Sequence, residues 1–109
     1  MPLLSVTSRK RLATSHDDLR RLVEAVVEDF PLAVVCGHRG QAEQDAAYAA
    51  KKSKLKWPNS RHNASPSLAV DLAPLPIKWN DTKGFQAMGK IVKAAADKRG
   101  QTAYALESL

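Results

Sequence analysis

His62 and Asp71 are the two side chains whose types and spacing could do chemistry, and both lie in Ser60-Arg61-His62-Asn63-Ala64-Ser65-Pro66-Ser67-Leu68-Ala69-Val70-Asp71-Leu72-Ala73-Pro74. A polar, proline-containing loop runs there into a short apolar segment, Leu68 to Leu72, interrupted by one aspartate. Apolar runs bounded by turn residues read as buried strands. A carboxylate inside such a run must be hydrogen-bonded, paired or metal-bound, because an unpaired buried charge is very costly. His62 precedes Asp71 by nine residues, close enough for the loop to fold the imidazole back beside the carboxylate. Imidazole and carboxylate can both ligate a metal, yet one of each does not complete a site. His38, in the turn Gly37-His38-Arg39-Gly40, is the nearest further candidate in the chain. Cys36 could also ligate a metal, but a lone cysteine in an apolar strand is more often a small buried hydrophobe.

The elements that must position these groups follow from hydrophobic periodicity. Residues 1–13 read as a basic, weakly structured lead-in. Thr14 or Ser15 is suited to cap a helix whose first turn holds Asp17 and Asp18. Leu19, Leu22, Val23, Val26, Val27 and Phe30 then recur at three- and four-residue steps, one buried stripe that Pro31 ends. Leu32 to Cys36 is a β-branched apolar run and reads as a buried strand leading into the Gly37–Gly40 turn. Gln41 to Lys52 reads as a second helix with an Ala46-Ala47-Tyr48-Ala49-Ala50 face. Ser53 to Ser67 is a long loop, and loops of that length in compact domains are usually functional or disordered. The second strand, Leu68 to Ala73, closes at Pro74-Leu75-Pro76, and Ile77-Lys78-Trp79 could pair briefly. Asn80 or Asp81 caps a third helix reaching about Arg99, with Phe85, Met88, Ile91, Val92 and Ala95 inward and Gly100 as its stop. Thr102 to Leu106 could begin another strand. This order predicts a small single α+β domain, helices packed on a short antiparallel sheet.

Composition bounds the rest. At 109 residues and 44% hydrophobic content the chain supports one modest core. No segment approaches the ~20 apolar residues of a membrane span. The N-terminus shows no charged region followed by an apolar one, so the expectation is cytoplasmic synthesis without a signal peptide. A single cysteine excludes an internal disulfide and any cysteine-rich zinc module. The net charge of +6 and pI near 9.7 favour polyanionic partners, including an acidic wall polymer. The clusters Arg9-Lys10-Arg11 and Lys51 to Lys56 read as solvated, and no aromatic interleaving accompanies them, so the expectation is that nucleic acid is not a partner. Trp57 and Trp79 could line a groove or serve packing, and Tyr48 reads as packing.

Ser60-x-His62 followed by Ala69-x-Asp71 resembles the zinc-binding signature of the D-alanyl-D-alanine carboxypeptidase and L-alanyl-D-glutamate endopeptidase family. Asn63-x-x-Pro66-Ser67 between the two ligands resembles the bacteriophage endolysin branch. Cys36-Gly37-His38-Arg39, Glu43-Gln44-x-x-x-Tyr48, Ala73-Pro74 and Ile77-x-Trp79 fit the same branch in the right order, over roughly residues 15–100. The resemblance implies a Hedgehog/DD-peptidase-like fold, zinc as cofactor, His62 and Asp71 as metal ligands, and peptidoglycan peptide stems as substrate. It places Arg39 beside the site, to hold a substrate carboxylate or developing oxyanion charge. Ser60 and Gln44 become supporting or substrate contacts. Such an enzyme, made in the cytoplasm, would reach the cell wall through lysis machinery.

The sequence departs from the family at its C-terminal end. The family's third ligand is a histidine in a C-terminal strand, its general base an acid just before it, and a Trp-Gly-Gly segment precedes both. No histidine follows His62 and no tryptophan follows Trp79. The expectation is therefore a peptidase-like domain over residues 14–109, C-terminally truncated and lacking the terminal strand, with catalysis impaired. The rival expectation is a non-catalytic remnant that binds peptidoglycan or a partner. A lost strand would also leave an open sheet edge, which invites a homodimer.

Overall fold

The computed structural model describes residues 4–98 and, as strand backbone, residues 105–108. Helix α1 (Val6–Leu12) and helix α2 (Asp17–Val27) precede strand β1 (Leu32–Cys36), which leads into helix α3 (Gln41–Ala49). A 3-10 turn (Arg61–Asn63) then precedes strand β2 (Ala69–Pro74), helix α4 (Thr82–Lys98) and strand β3 (Ala105–Ser108). The α+β architecture expected from the sequence is present. Its core is the α2 stripe of Leu19, Leu22, Val23, Val26 and Val27, closed by Leu32 and Val34 of β1, Val70 and Leu72 of β2, and Met88, Val92 and Ala96 of α4.

Four local expectations are corrected. Within the stretch expected to be a weakly structured lead-in, Val6–Leu12 is helical with Ser8 and Leu12 buried. The helix is held from outside itself: the Val34 amide donates to Ser8 Oγ at 3.0 Å, and Arg11 donates to the Val34 carbonyl at 3.2 Å. Helix α1 thus supplies partners to the outer edge of β1. Second, the alanine face of α3 is largely exposed, and the buried residue of that helix is the polar Gln44. Third, Ile77 and Trp79 form no strand; both are exposed, with Trp79 stacked on Phe85 at 6.0 Å between ring centroids. Helix α2 is capped by His16, whose Nδ1 accepts from the Asp18 amide at 3.1 Å, rather than by Thr14 or Ser15. Asp81 caps α4 as expected, accepting from the Gly84 amide at 3.0 Å. Arg99, Gly100 and residues 101–104 lie outside the described residues.

Strands β1 and β2 are antiparallel, with Leu32 opposite Pro74, Ala33 opposite Ala73 and Val34 opposite Leu72. The register then shifts, so that Cys36 rather than Val35 stands opposite Asp71. Such a bulge bends a strand and re-aims its side chains. Strand β3 runs parallel to β2, with Glu107 in register beside Asp71, which makes the sheet mixed. It occupies the β2 edge expected to stay open, so the fold lends no support to dimerisation through that edge.

Candidate functional site

At the bulged end of the sheet the apolar core gives way to a buried polar cluster. The 3-10 turn delivers His62 and is capped by Ser60, whose hydroxyl accepts from the His62 amide at 3.2 Å. Asn63 closes the turn by accepting from the Ser60 amide at 3.0 Å. His62 and Asp71 are both fully buried, so the histidine that sequence placed on a polar loop is a core residue. Its Nδ1 lies 2.7 Å from the Gly37 carbonyl. A carbonyl can only accept, so Nδ1 carries the hydrogen and Nε2 faces Asp71 Oδ1 at 3.2 Å.

Gly37 has a geometric reason to be glycine. A Cβ there would run into the Arg11 carbonyl and the Thr14 hydroxyl at the end of α1. The missing side chain lets α1 close over the strand end, and that approach leaves the Gly37 carbonyl facing His62. Ser67 Oγ also donates to this carbonyl, at 3.3 Å.

Burial disfavours a charged His62 ring, but the hydrogen bond to Asp71, the Cys36 contact, the Gly37 carbonyl and the charge on Asp71 outweigh it. Together they push its pKa up to about 10. Without a metal, then, Nε2 holds a proton against Asp71. A metal at that nitrogen would take the proton's place.

Arg39 joins the same cluster. Its Nη2 donates to Asp71 Oδ2 at 3.3 Å and its Nη1 to Gln44 Oε1 at 2.9 Å, while its backbone amide donates to the His62 carbonyl at 2.7 Å. Asp71 thereby divides its oxygens, Oδ1 toward His62 and Oδ2 toward Arg39. Gln44 is fully buried; it also accepts from Asn63 Nδ2 at 3.2 Å and donates to the Leu55 carbonyl and Ser53 Oγ at 2.6 and 3.0 Å. The structure therefore brings His62, Asp71, Arg39 and Gln44 into one network, with Ser60 acting on it through the turn.

His38 is not part of it. Its Nδ1 lies 2.9 Å from the Ala64 carbonyl, which ties it to the loop instead. Cys36, read from sequence as a core hydrophobe, is only half-buried and stands at the cluster. Ligand atoms of Cys36, His62 and Asp71 lie within 4.8 Å of one another. The donor set of thiol, imidazole and carboxylate fits zinc, which takes S, N and O ligands in tetrahedral sites. The sequence allowed Cys36 as a ligand but favoured packing, because the register shift that brings it opposite Asp71 leaves no mark in the hydrophobic pattern.

The family model of the phage L-alanyl-D-glutamate peptidases matches residues 2–103. Among solved structures the chain is similar to the Serratia marcescens L-Ala D-Glu endopeptidase ChiX, with a TM-score of 0.73 and 26% identity, over 87% of this chain and 71% of that one. No curated protein sequence gives a significant match. With the match spanning nearly its whole length, the chain belongs to the phage L-alanyl-D-glutamate peptidase family.

Proposed function

We propose that this protein is a zinc-dependent peptidase that cleaves the L-alanyl–D-glutamate bond in the peptide stems of peptidoglycan. The observation that carries the reading is the orientation of His62: a carbonyl fixes its Nδ1–H, so Nε2 is directed at a buried carboxylate. Metal-binding histidines are commonly held this way through the other ring nitrogen. His62 and Asp71 would hold the ion, and zinc there would supply Lewis-acid polarisation of a carbonyl and a lowered pKa for water.

The remaining residues position and recognise. Arg39 keeps Asp71 Oδ2 occupied, leaving Oδ1 for the metal side. A guanidinium has five N–H donors, so Arg39 retains capacity for a substrate carboxylate or for oxyanion charge. Gln44 spends its amide on Arg39, Asn63 and the 53–55 loop, and so fixes the angle of the guanidinium. Ser60 sets the turn that carries His62. The excess of positive charge suits a wall bearing anionic polymers. A second reading is a peptidoglycan-binding protein without hydrolysis, in which the same basic surface holds the wall.

Release of soluble muropeptides from purified sacculi, measured with added zinc, separates the two. Release that disappears in His62→Ala supports the peptidase. Sacculus binding without release, surviving both His62→Ala and Asp71→Ala, supports the binder.

A further inference from the structure

We propose that Cys36 is a metal ligand, its thiolate completing with His62 Nε2 and one Asp71 oxygen a three-donor site for zinc or a similarly thiophilic divalent ion. The assignment rests on the peptidase reading above, and it adds a third donor to the His62–Asp71 pair.

The strand geometry brings the thiol there. In a regular antiparallel pair, Val35 would oppose Asp71, and Cys36 would share the face of Val34, which packs in the core. The bulge between Val34 and Cys36 inserts one residue, so Cys36 moves opposite Asp71 and onto its face. A single-residue shift therefore exchanges a valine for a cysteine at the polar cluster.

Separations fit a contracting site. Zinc bonds of about 2.0–2.3 Å at tetrahedral angles put ligand atoms roughly 3.3–3.8 Å apart. His62 Nε2 and Asp71 Oδ1 already stand 3.2 Å apart, and all three ligand atoms lie within 4.8 Å. Closing the set needs a movement of about 1 Å, within reach of a χ1 adjustment at a strand end.

Charge and surroundings point the same way. Thiolate, carboxylate and neutral imidazole carry two negative charges, which a divalent ion neutralises; Arg39 on the far carboxylate oxygen then leaves the cluster one positive charge, suited to an anionic substrate group. Cys36 Sγ lies 3.6 Å from the Gly37 carbonyl and contacts His62, polar company for a cysteine that served only packing. Its partial exposure leaves room for exchange of solvent at the ion, whereas His62 and Asp71 are sealed from water. A thiolate donor would also discriminate against magnesium and calcium, which take oxygen ligands.

Because Cys36 is the sole cysteine, thiol chemistry reads this one position in the unmodified chain. The test measures the rate of Cys36 alkylation in the folded protein without metal, with one equivalent of zinc, and after chelation. It is paired with the absorption spectrum of the cobalt(II) form and with metal content by elemental analysis. The expected results are alkylation slowed by at least about tenfold by zinc and restored by chelator, since the bound thiolate is no longer a free nucleophile. A sulfur-to-cobalt charge-transfer band should also appear, and be missing in Cys36→Ser. Protection should vanish in Asp71→Asn, whose fold is checked by circular dichroism. Zinc bound at one per chain with unchanged alkylation and no sulfur-to-cobalt band would overturn the role of Cys36 while leaving the peptidase reading intact. A folded chain that binds no metal at all would overturn both.

Discussion

The two ends of the β1–β2 ladder are built on different terms. At one end Leu32 and Val34 of β1 and Leu72 of β2 pack with α2 and α4, each apolar side chain touching several others. At the other end, beyond the bulge, Cys36, His62, Asp71 and Arg39 meet in specific pairs whose polar atoms depend on single partners. Dispersion and burial spread the stabilisation of the first end over many contacts. At the second end, removing one group leaves another buried and charged. Stability is therefore shared at the apolar end, and geometry is concentrated at the polar one.

The largest effect that would sharpen this contrast is expected for Asp71→Ala. It strands His62 and Arg39 and should cost about 3–5 kcal/mol, as for other broken buried ion pairs, together with all zinc binding. Leu32→Ala, at the opposite end, should cost a comparable ~2–5 kcal/mol by opening a cavity. The folded fraction of that variant should nevertheless bind zinc as the parent does. Urea denaturation with and without zinc checks both, and loss of zinc binding in folded Leu32→Ala would break the separation of the two ends.

Gly37→Ala should fall next. The added methyl meets the Arg11 carbonyl and Thr14 hydroxyl, and overpacking of this kind costs about 1–3 kcal/mol. The backbone shift that relieves it moves the carbonyl that orients His62, so zinc affinity should drop along with the urea midpoint. An unchanged zinc affinity would show that the Gly37 carbonyl does not fix the ring. The smallest effect is expected for Asp81→Ala, which removes the cap of α4 and should lower stability by about 1 kcal/mol, with zinc affinity unaltered.

Much of the apolar end was legible in the sequence. The α2 stripe, β1 from Leu32 to Cys36, β2 to within a residue at each end, and the α4 face at Met88 and Val92 all follow from periodicity. Ile91, expected inward, is exposed, and Ala96 takes an inward place instead. Helix α1 was hidden because a seven-residue basic helix has little intrinsic stability and is held by its bonds to Val34. The face of α3 misled because alanines carry little burial energy, whereas Gln44 is drawn in by four hydrogen bonds. At the polar end, the juxtaposition of His62 and Asp71 was legible from the loop and strand that carry them. The approach of Cys36 was not, since it depends on a bulge whose position hydrophobic patterning does not encode. Nor did periodicity show that β3 would lie parallel to β2.

The central claim is that His62 and Asp71 form a metal site within this fold. Elemental analysis of the purified protein after equilibration with zinc and removal of excess ion tests it most directly. One zinc per chain is expected, falling to none in Asp71→Ala. A folded parent chain that retains no zinc would contradict the account.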